Sequence, residues 1–132
     1  MIDPKELRIG NIINSQGFAM VVFRIEEDKI LYRELKPKTT LRHPSDIGAN
    51  PIPLTNEILL KTGFKYNETD EEYTIGSIDF ESAQEDADRY FSLWSENKED
   101  FECYFSDIPI KSVHQLQNLY FALTGEELEI KL

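Results

Sequence analysis

Ser112-Val113-His114-Gln115-Leu116-Gln117-Asn118-Leu119-Tyr120-Phe121-Ala122-Leu123-Thr124-Gly125 is the stretch whose reading decides the fold. Ser112 and Gln115 occupy the two positions of a capping box, and Val113, Leu116, Leu119, Tyr120 and Leu123 recur at helical spacing. Gly125 supplies a residue that can leave a helix in the left-handed conformation. The spacing predicts a helix over 112–124 with that apolar stripe buried. Immediately after it, Glu127-Leu128-Glu129-Ile130-Lys131-Leu132 alternates strictly and reads as a strand with Leu128, Ile130 and Leu132 inward.

Towards the N-terminus the period changes from helix to strand. Leu7 and Ile9 alternate with polar neighbours, Gly10-Asn11 interrupts, and Ile12-Ile13 resumes before the turn residues Asn14-Ser15-Gln16-Gly17. Phe18 to Ile25 is a continuous β-branched and aromatic run, read as a buried strand. After Glu26-Glu27-Asp28-Lys29 the chain returns as Ile30-Leu31-Tyr32-Arg33-Glu34-Leu35, which makes a meander of about three strands. Thr40-Leu41-Arg42 is a candidate fourth strand, a pattern that an SH3-like barrel would share. Pro37, Pro44, Pro51 and Pro53 mark a connector, with His43-Pro44-Ser45-Asp46 as surface loop. The expected organisation is a β-meander over 1–36, a proline-rich connector over 37–53 and an α+β unit over 54–132.

Within that last unit a short helix has both ends marked. Thr55 suits the N-cap, Leu54 and Leu59 stand where a hydrophobic staple requires them, and Gly63-Phe64 reads as a Schellman stop. Tyr73-Thr74-Ile75 and Ile78-Asp79-Phe80 alternate with a shift of phase at Gly76-Ser77. Tyr90 to Trp94 and Phe101 to Phe105 flank a polar turn as an aromatic hairpin, which Asp107-Ile108-Pro109-Ile110 ends. The fold class expected is α+β: an N-terminal meander plus an antiparallel sheet unit with two helices.

Three blocks resemble one family. Val113-His114-Gln115-Leu116-Gln117-Asn118-Leu119-Tyr120-Phe121-Ala122-Leu123-Thr124-Gly125-Glu126-Glu127-Leu128 is similar to the ending of a group of small uncharacterised proteins of anaerobic gut bacteria and their prophages. Glu6-Leu7-Arg8-Ile9-Gly10-Asn11 and Pro51-Ile52-Pro53-Leu54-Thr55 resemble its start and middle. The resemblance implies a phage or mobile-element origin and a protein that binds a host or phage component. It carries no catalytic residue over to this chain.

Charge and composition narrow the function classes. The 132 residues are 40% hydrophobic, enough for a core in one domain or two very small packed ones. Residues 1–66 hold 10 Lys and Arg against 8 Asp and Glu, whereas residues 67–132 hold 4 against 17, so the formal net charge of −11 lies in the second half. Such acidity repels nucleic-acid backbones and favours a basic protein partner. No apolar run approaches a membrane span, and the N-terminus lacks a signal-peptide layout, so a cytoplasmic protein without membrane contact is expected. Cys103 is the single cysteine, and His43 and His114 are the only histidines, so no metal or cofactor is expected.

The candidate partner-binding residues are Tyr90, Trp94 and Tyr104 of the hairpin with Glu85, Asp86 and Asp88 beside them. Alternation places Tyr90 and Trp94 on one face and Phe91 and Leu93 on the other. His114, Gln115, Gln117, Asn118 and Phe121 form a polar and aromatic helix side that suits either a partner or the pinning of a neighbouring loop. Glu68, Asp70, Glu71 and Glu72 read as solvated charge, lacking a calcium-loop spacing. The function expected is that of a non-enzymatic interaction module. The alternatives are an acidic decoy of a DNA-binding protein and a small enzyme with a carboxylate site.

At physiological salt the purified protein is expected to bind neither duplex nor single-stranded nucleic acid in a filter or anisotropy assay. Micromolar binding that weakens steeply with added salt contradicts this reading of the charge.

Overall fold

The computed structural model describes residues 2–27, 29–35, 42–44, 48–69, 71–75, 91–95, 103–105 and 107–132. The chain is α+β and divides into two compact units, Met1–Pro53 with Ser112–Asn118 and Leu54–Lys111 with Leu119–Leu132. By sequence the first unit carries 8 Lys and Arg against 7 Asp and Glu, and the second 6 against 18. The acidity of the chain therefore belongs to one structural unit.

In the first unit, β1 (Ile12–Ser15), β2 (Phe18–Ile25), β3 (Ile30–Glu34) and β4 (Arg42–Pro44) form one antiparallel sheet in sequential order. Gln16 and Gly17 join β1 to β2 with φ of 54° and 86°, the pair of positive angles that a two-residue hairpin of matching twist requires. Ile13, Met20, Val22, Ile30 and Tyr32 pack with Ile2, Leu7 and Ala49 as a buried cluster. The Tyr32 hydroxyl within this interior is satisfied by Ser15 Oγ at 3.2 Å. On the other side of β1, Asn14 and Asn50 exchange backbone hydrogen bonds of 2.9 and 2.8 Å, so that edge is covered. No pair closes β4 onto β1 among the described residues, and the meander is an open sheet there.

The second unit holds α1 (Asn56–Thr62) and a five-stranded antiparallel sheet of β5 (Lys65–Asn67), β6 (Glu72–Ile75), β7 (Phe91–Ser95), β8 (Cys103–Phe105) and β9 (Ile108–Ile110). Local chemistry sets both ends of α1. Thr55 Oγ1 accepts from Ile58 N at 3.1 Å, and Gly63, at φ 111°, lets Phe64 N donate back to Leu59 O at 3.0 Å. Leu54, Leu59 and Phe64 are all buried, as the staple and the stop anticipate.

Helix α2 (Val113–Thr124) follows β9, and Gly125 leaves it at φ 73° with its N–H on Phe121 O. Its buried arc differs from the expected stripe. Val113 and Leu116 are fully buried, but so are His114 and Gln117, while Leu119 and Tyr120 are half-buried and Leu123 is 49% exposed. The inner arc is turned towards the polar side because Gln117 has backbone partners, and His114 side-chain contacts with Ser112 and Glu6, within the first unit.

Other expectations change for similar local reasons. Leu7 and Ile9 are not a strand: Asp3 caps a 3₁₀ turn over Pro4–Glu6, and a turn at Arg8 to Asn11 follows, leaving Ile9 exposed. The run from Phe18 to Ile25 is buried only at Met20 and Val22, alternate residues on one face of the strand, and a bulge shifts the register between Val22 and Arg24. The fourth strand covers Arg42–Pro44, which includes two residues expected in a loop, because they pair with Leu31 to Arg33. Ile108–Ile110 extends the hairpin as a further strand rather than ending it. The tail after Gly125 buries Leu128 and Ile130 without forming a strand, and Leu132 stays exposed. Gly76 to Phe80 and the Glu96 to Asp100 turn lie outside the described residues.

Leu116→Ala is expected to cost about 2–5 kcal/mol, since it empties a fully enclosed site. Leu123→Ala is expected to change stability by no more than about 0.5 kcal/mol, as an exposed side chain should. Urea unfolding of both variants checks the burial pattern of α2, and equal losses would contradict it.

Candidate functional site

A sheet with side chains alternating between two faces presents either two cores or one core and one open face. In the five-stranded sheet, adjacent rows of described residues differ in burial. Asn67, Glu72, Trp94, Tyr104 and Pro109 are register partners across its five strands. Along this row Asn67 and Pro109 are exposed and Glu72 and Tyr104 half-buried, whereas the adjacent positions Tyr73, Leu93, Cys103 and Ile110 are buried. The sequence expectation of an aromatic hairpin is met in its pairing, Trp94 standing directly opposite Tyr104. Tyr90, Glu85, Asp86 and Asp88 lie outside the described residues. Glu72, read from sequence as part of a solvated acidic run, joins the aromatic row because β6 pairs with β7.

The buried side of the same sheet is chemically quiet. Burial pushes the Cys103 thiol up to about 12, so it stays protonated and unreactive. The Tyr73 hydroxyl donates to Asn56 Oδ1 and is likewise raised to about 12, first by burial and then by Cys103 and Tyr66. Tyr66 packs a tilted ring 4.7 Å from Tyr73.

The polar side of α2 in the first unit is occupied by its own chain. Gln117 Oε1 accepts from Ile12 N at 2.8 Å, and Gln117 Nε2 donates to Gly10 O at 3.1 Å. Asn118 Nδ2 donates to Glu6 O at 2.7 Å, and its Oδ1 accepts from Asn11 Nδ2 at 2.8 Å and from Arg8 Nη1 at 3.1 Å. These contacts take up the Glu6 and Gly10 carbonyls and the Ile12 N–H, while Gly10 N and Asn11 O of the same turn pair with Val22 of β2. Of the two sequence readings of this face, the pinning of a neighbouring loop is the one the hydrogen bonds satisfy.

His114 completes the same cluster, in an arrangement the sequence did not reveal. Its Nδ1 is hydrogen-bonded to Ser112 Oγ at 3.1 Å, and its Nε2 lies 3.5 Å from Glu6 Oε2. Hydroxyl, imidazole and carboxylate resemble a nucleophile relay in kind, but Ser112 and His114 are 4% and 3% exposed and offer a substrate no approach. Burial holds His114 below its ordinary value, although Glu6 acts in the opposite direction. Glu6 is 57% exposed, so water screens its charge and desolvation of the ring prevails. The signal in the sequence was the Ser-x-His spacing at a helix start, but the third partner is more than a hundred residues away.

Among the described residues no group of three or more His, Cys, Asp and Glu side chains is placed to hold a metal ion, and no helix is long and apolar enough to cross a membrane. No protein family matches the chain, no curated protein matches it in sequence, and no solved structure matches it in fold.

His114 gives the fold a dependence on pH of definite sign. Its folded value lies below the ordinary 6.5, so the unfolded chain takes up the proton first as pH falls. Stability from this group is complete above pH 6.5 and is lost as pH falls towards the folded value. Urea midpoints measured on both sides of that pH should show the loss in the native sequence and a smaller one in His114→Gln. An unchanged acid limb in the variant contradicts the assignment.

Proposed function

We propose that this chain is a non-enzymatic docking module whose acidic second unit binds a basic protein surface. One observation carries the reading: one row of the five-stranded sheet sets Glu72, Trp94 and Tyr104 in register, in the unit that holds 18 Asp and Glu against 6 Lys and Arg. Aromatic rings accept a guanidinium or ammonium on their faces, and a neighbouring carboxylate fixes it by a charge-assisted hydrogen bond. The surrounding negative field raises the rate of encounter with such a partner. The Gln117 and Asn118 amides are engaged within the chain, which leaves the sheet as the better place for a partner.

The three sequence blocks support an origin in a phage or mobile element, and the single, buried Cys103 fits a reducing cytoplasm. The same charge favours a related reading, in which the second unit imitates a nucleic-acid backbone and occupies a DNA-binding protein. The two readings differ in their competitor: duplex DNA displaces the chain from its partner only if the partner's nucleic-acid site is the one engaged.

A labelled oligo-arginine peptide is the direct probe. Binding should be weakened by about 2 kcal/mol, roughly thirtyfold, in the double variant Trp94→Ser, Tyr104→Ser, with the melting temperature little changed. Because Trp94 is the only tryptophan, its fluorescence should be quenched by iodide in the free protein and protected by the peptide. A blue-shifted spectrum that iodide does not quench, or a double variant that unfolds, removes the sheet face as the site.

A further inference from the structure

We propose that this chain associates head to tail with a second copy of itself, the basic row of the first sheet on one molecule meeting the Glu72, Trp94 and Tyr104 row of the next. The proposal rests on the reading above, from which it takes the receptor, and it names the occupant.

The register builds the basic row. Ile12, Val21, Arg33 and Arg42 are partners across β1, β2, β3 and β4. Val21, and Leu31 two residues before Arg33, are half-buried, so apolar surface lies beside the exposed Arg33. Like charges at directly opposite register positions disfavour a sheet, and Arg33 and Arg42 hold such positions. The sequence adds to the imbalance: residues 33–43 hold four Lys and Arg against the single Glu34. An anion supplied from outside offsets that repulsion.

Both halves of the contact are unmatched within the chain. Arg24 is held by Glu26 at 3.0 Å, and Arg8 donates to Asn118 at 3.1 Å, but Arg33 has no carboxylate partner among the described residues. Glu72 on β6 likewise has no cation partner among them. A guanidinium, planar and with five donors, is the cation that a carboxylate beside aromatic rings receives best. Each molecule therefore carries the group that the row of another copy accepts. Charge also fixes the arrangement. The second unit, with 18 Asp and Glu against 6 Lys and Arg, repels the second unit of another copy, so a symmetric contact through it is disfavoured. First unit against second unit is complementary, and such a heterologous contact continues into a ring or an open chain.

The test is sedimentation velocity of the full chain over about 10 µM to 1 mM, at about 50 mM and about 500 mM salt. The sedimentation coefficient should rise with concentration at low salt and return towards the monomer value at high salt. Arg33→Glu and Glu72→Arg should each weaken association at least about tenfold. An equimolar mixture of the two variants should recover it, because the native Arg33 of one then meets the native Glu72 of the other. Glu72→Gln takes the place of Glu72→Arg if that variant fails to fold. An excess of the oligo-arginine peptide should dissolve the assembly. A chain that binds the peptide but stays monomeric overturns this proposal and leaves the former reading standing, whereas failure to bind the peptide removes both. Association that survives Arg33→Glu, or a mixture that recovers nothing, also overturns it. So does salt-sensitive binding of a labelled oligonucleotide that Arg33→Glu abolishes, which assigns the basic row to nucleic acid.

Discussion

The carboxamides of Gln117 and Asn118 impose the constraint on which the first unit depends. They take up backbone groups of Glu6, Gly10 and Ile12, at sequence separations of 105 to 112 residues. Residues 6–11 lead into the sheet through turns and two hydrogen bonds with Val22, which leave the Glu6 and Gly10 carbonyls and the Ile12 N–H to be met by side chains. A side chain amide, with one acceptor and two donors, meets that need at a fixed geometry. Asn11 and Arg8 extend the set, and the buried His114 with Ser112 closes its flank. Losing either amide would strand buried polar groups, the costliest kind of unmade hydrogen bond.

Much of the fold was legible because it is coded locally. Thr55, Gly63, Gly125 and the Gln16-Gly17 turn each satisfy a backbone requirement within a few residues, and each is found doing so. The β1 to β3 meander and the pairing of Trp94 with Tyr104 follow from alternation and short connections. What was not legible depends on distant residues. Helical periodicity marked Leu119, Tyr120 and Leu123 as core because it weighs apolar character alone, but Gln117 is drawn inward by hydrogen-bond partners near the N-terminus, and the buried His114 bonds Ser112 with Glu6 beside it. The covering of β1 by Asn50, and the arrival of β9 at the edge of the second sheet, likewise require knowing which segments meet.

The candidate site follows the same division. Aromatic and acidic content pointed to the second half of the chain, and the register then singled out Glu72, a residue with no distinguishing mark in its own neighbourhood. Conversely, in the most eye-catching polar group of the sequence, His114 and Gln117 are buried and Asn118 is engaged by the chain's own Glu6, Arg8 and Asn11. The two units thus differ in composition as well: the described amides of the first complete a backbone, and the second carries 18 Asp and Glu against 6 Lys and Arg.

That division of labour can be seen residue by residue in an amide chemical-shift titration with a basic peptide. The shifts should concentrate on the second unit, at residues 66–75, 91–95 and 103–110, and leave Gly10 to Ile12 and His114 to Gln117 in place. Perturbations centred on His114, Gln117 and the amide of Ile12 would show that the polar face of α2 is a binding surface after all, and would contradict the account.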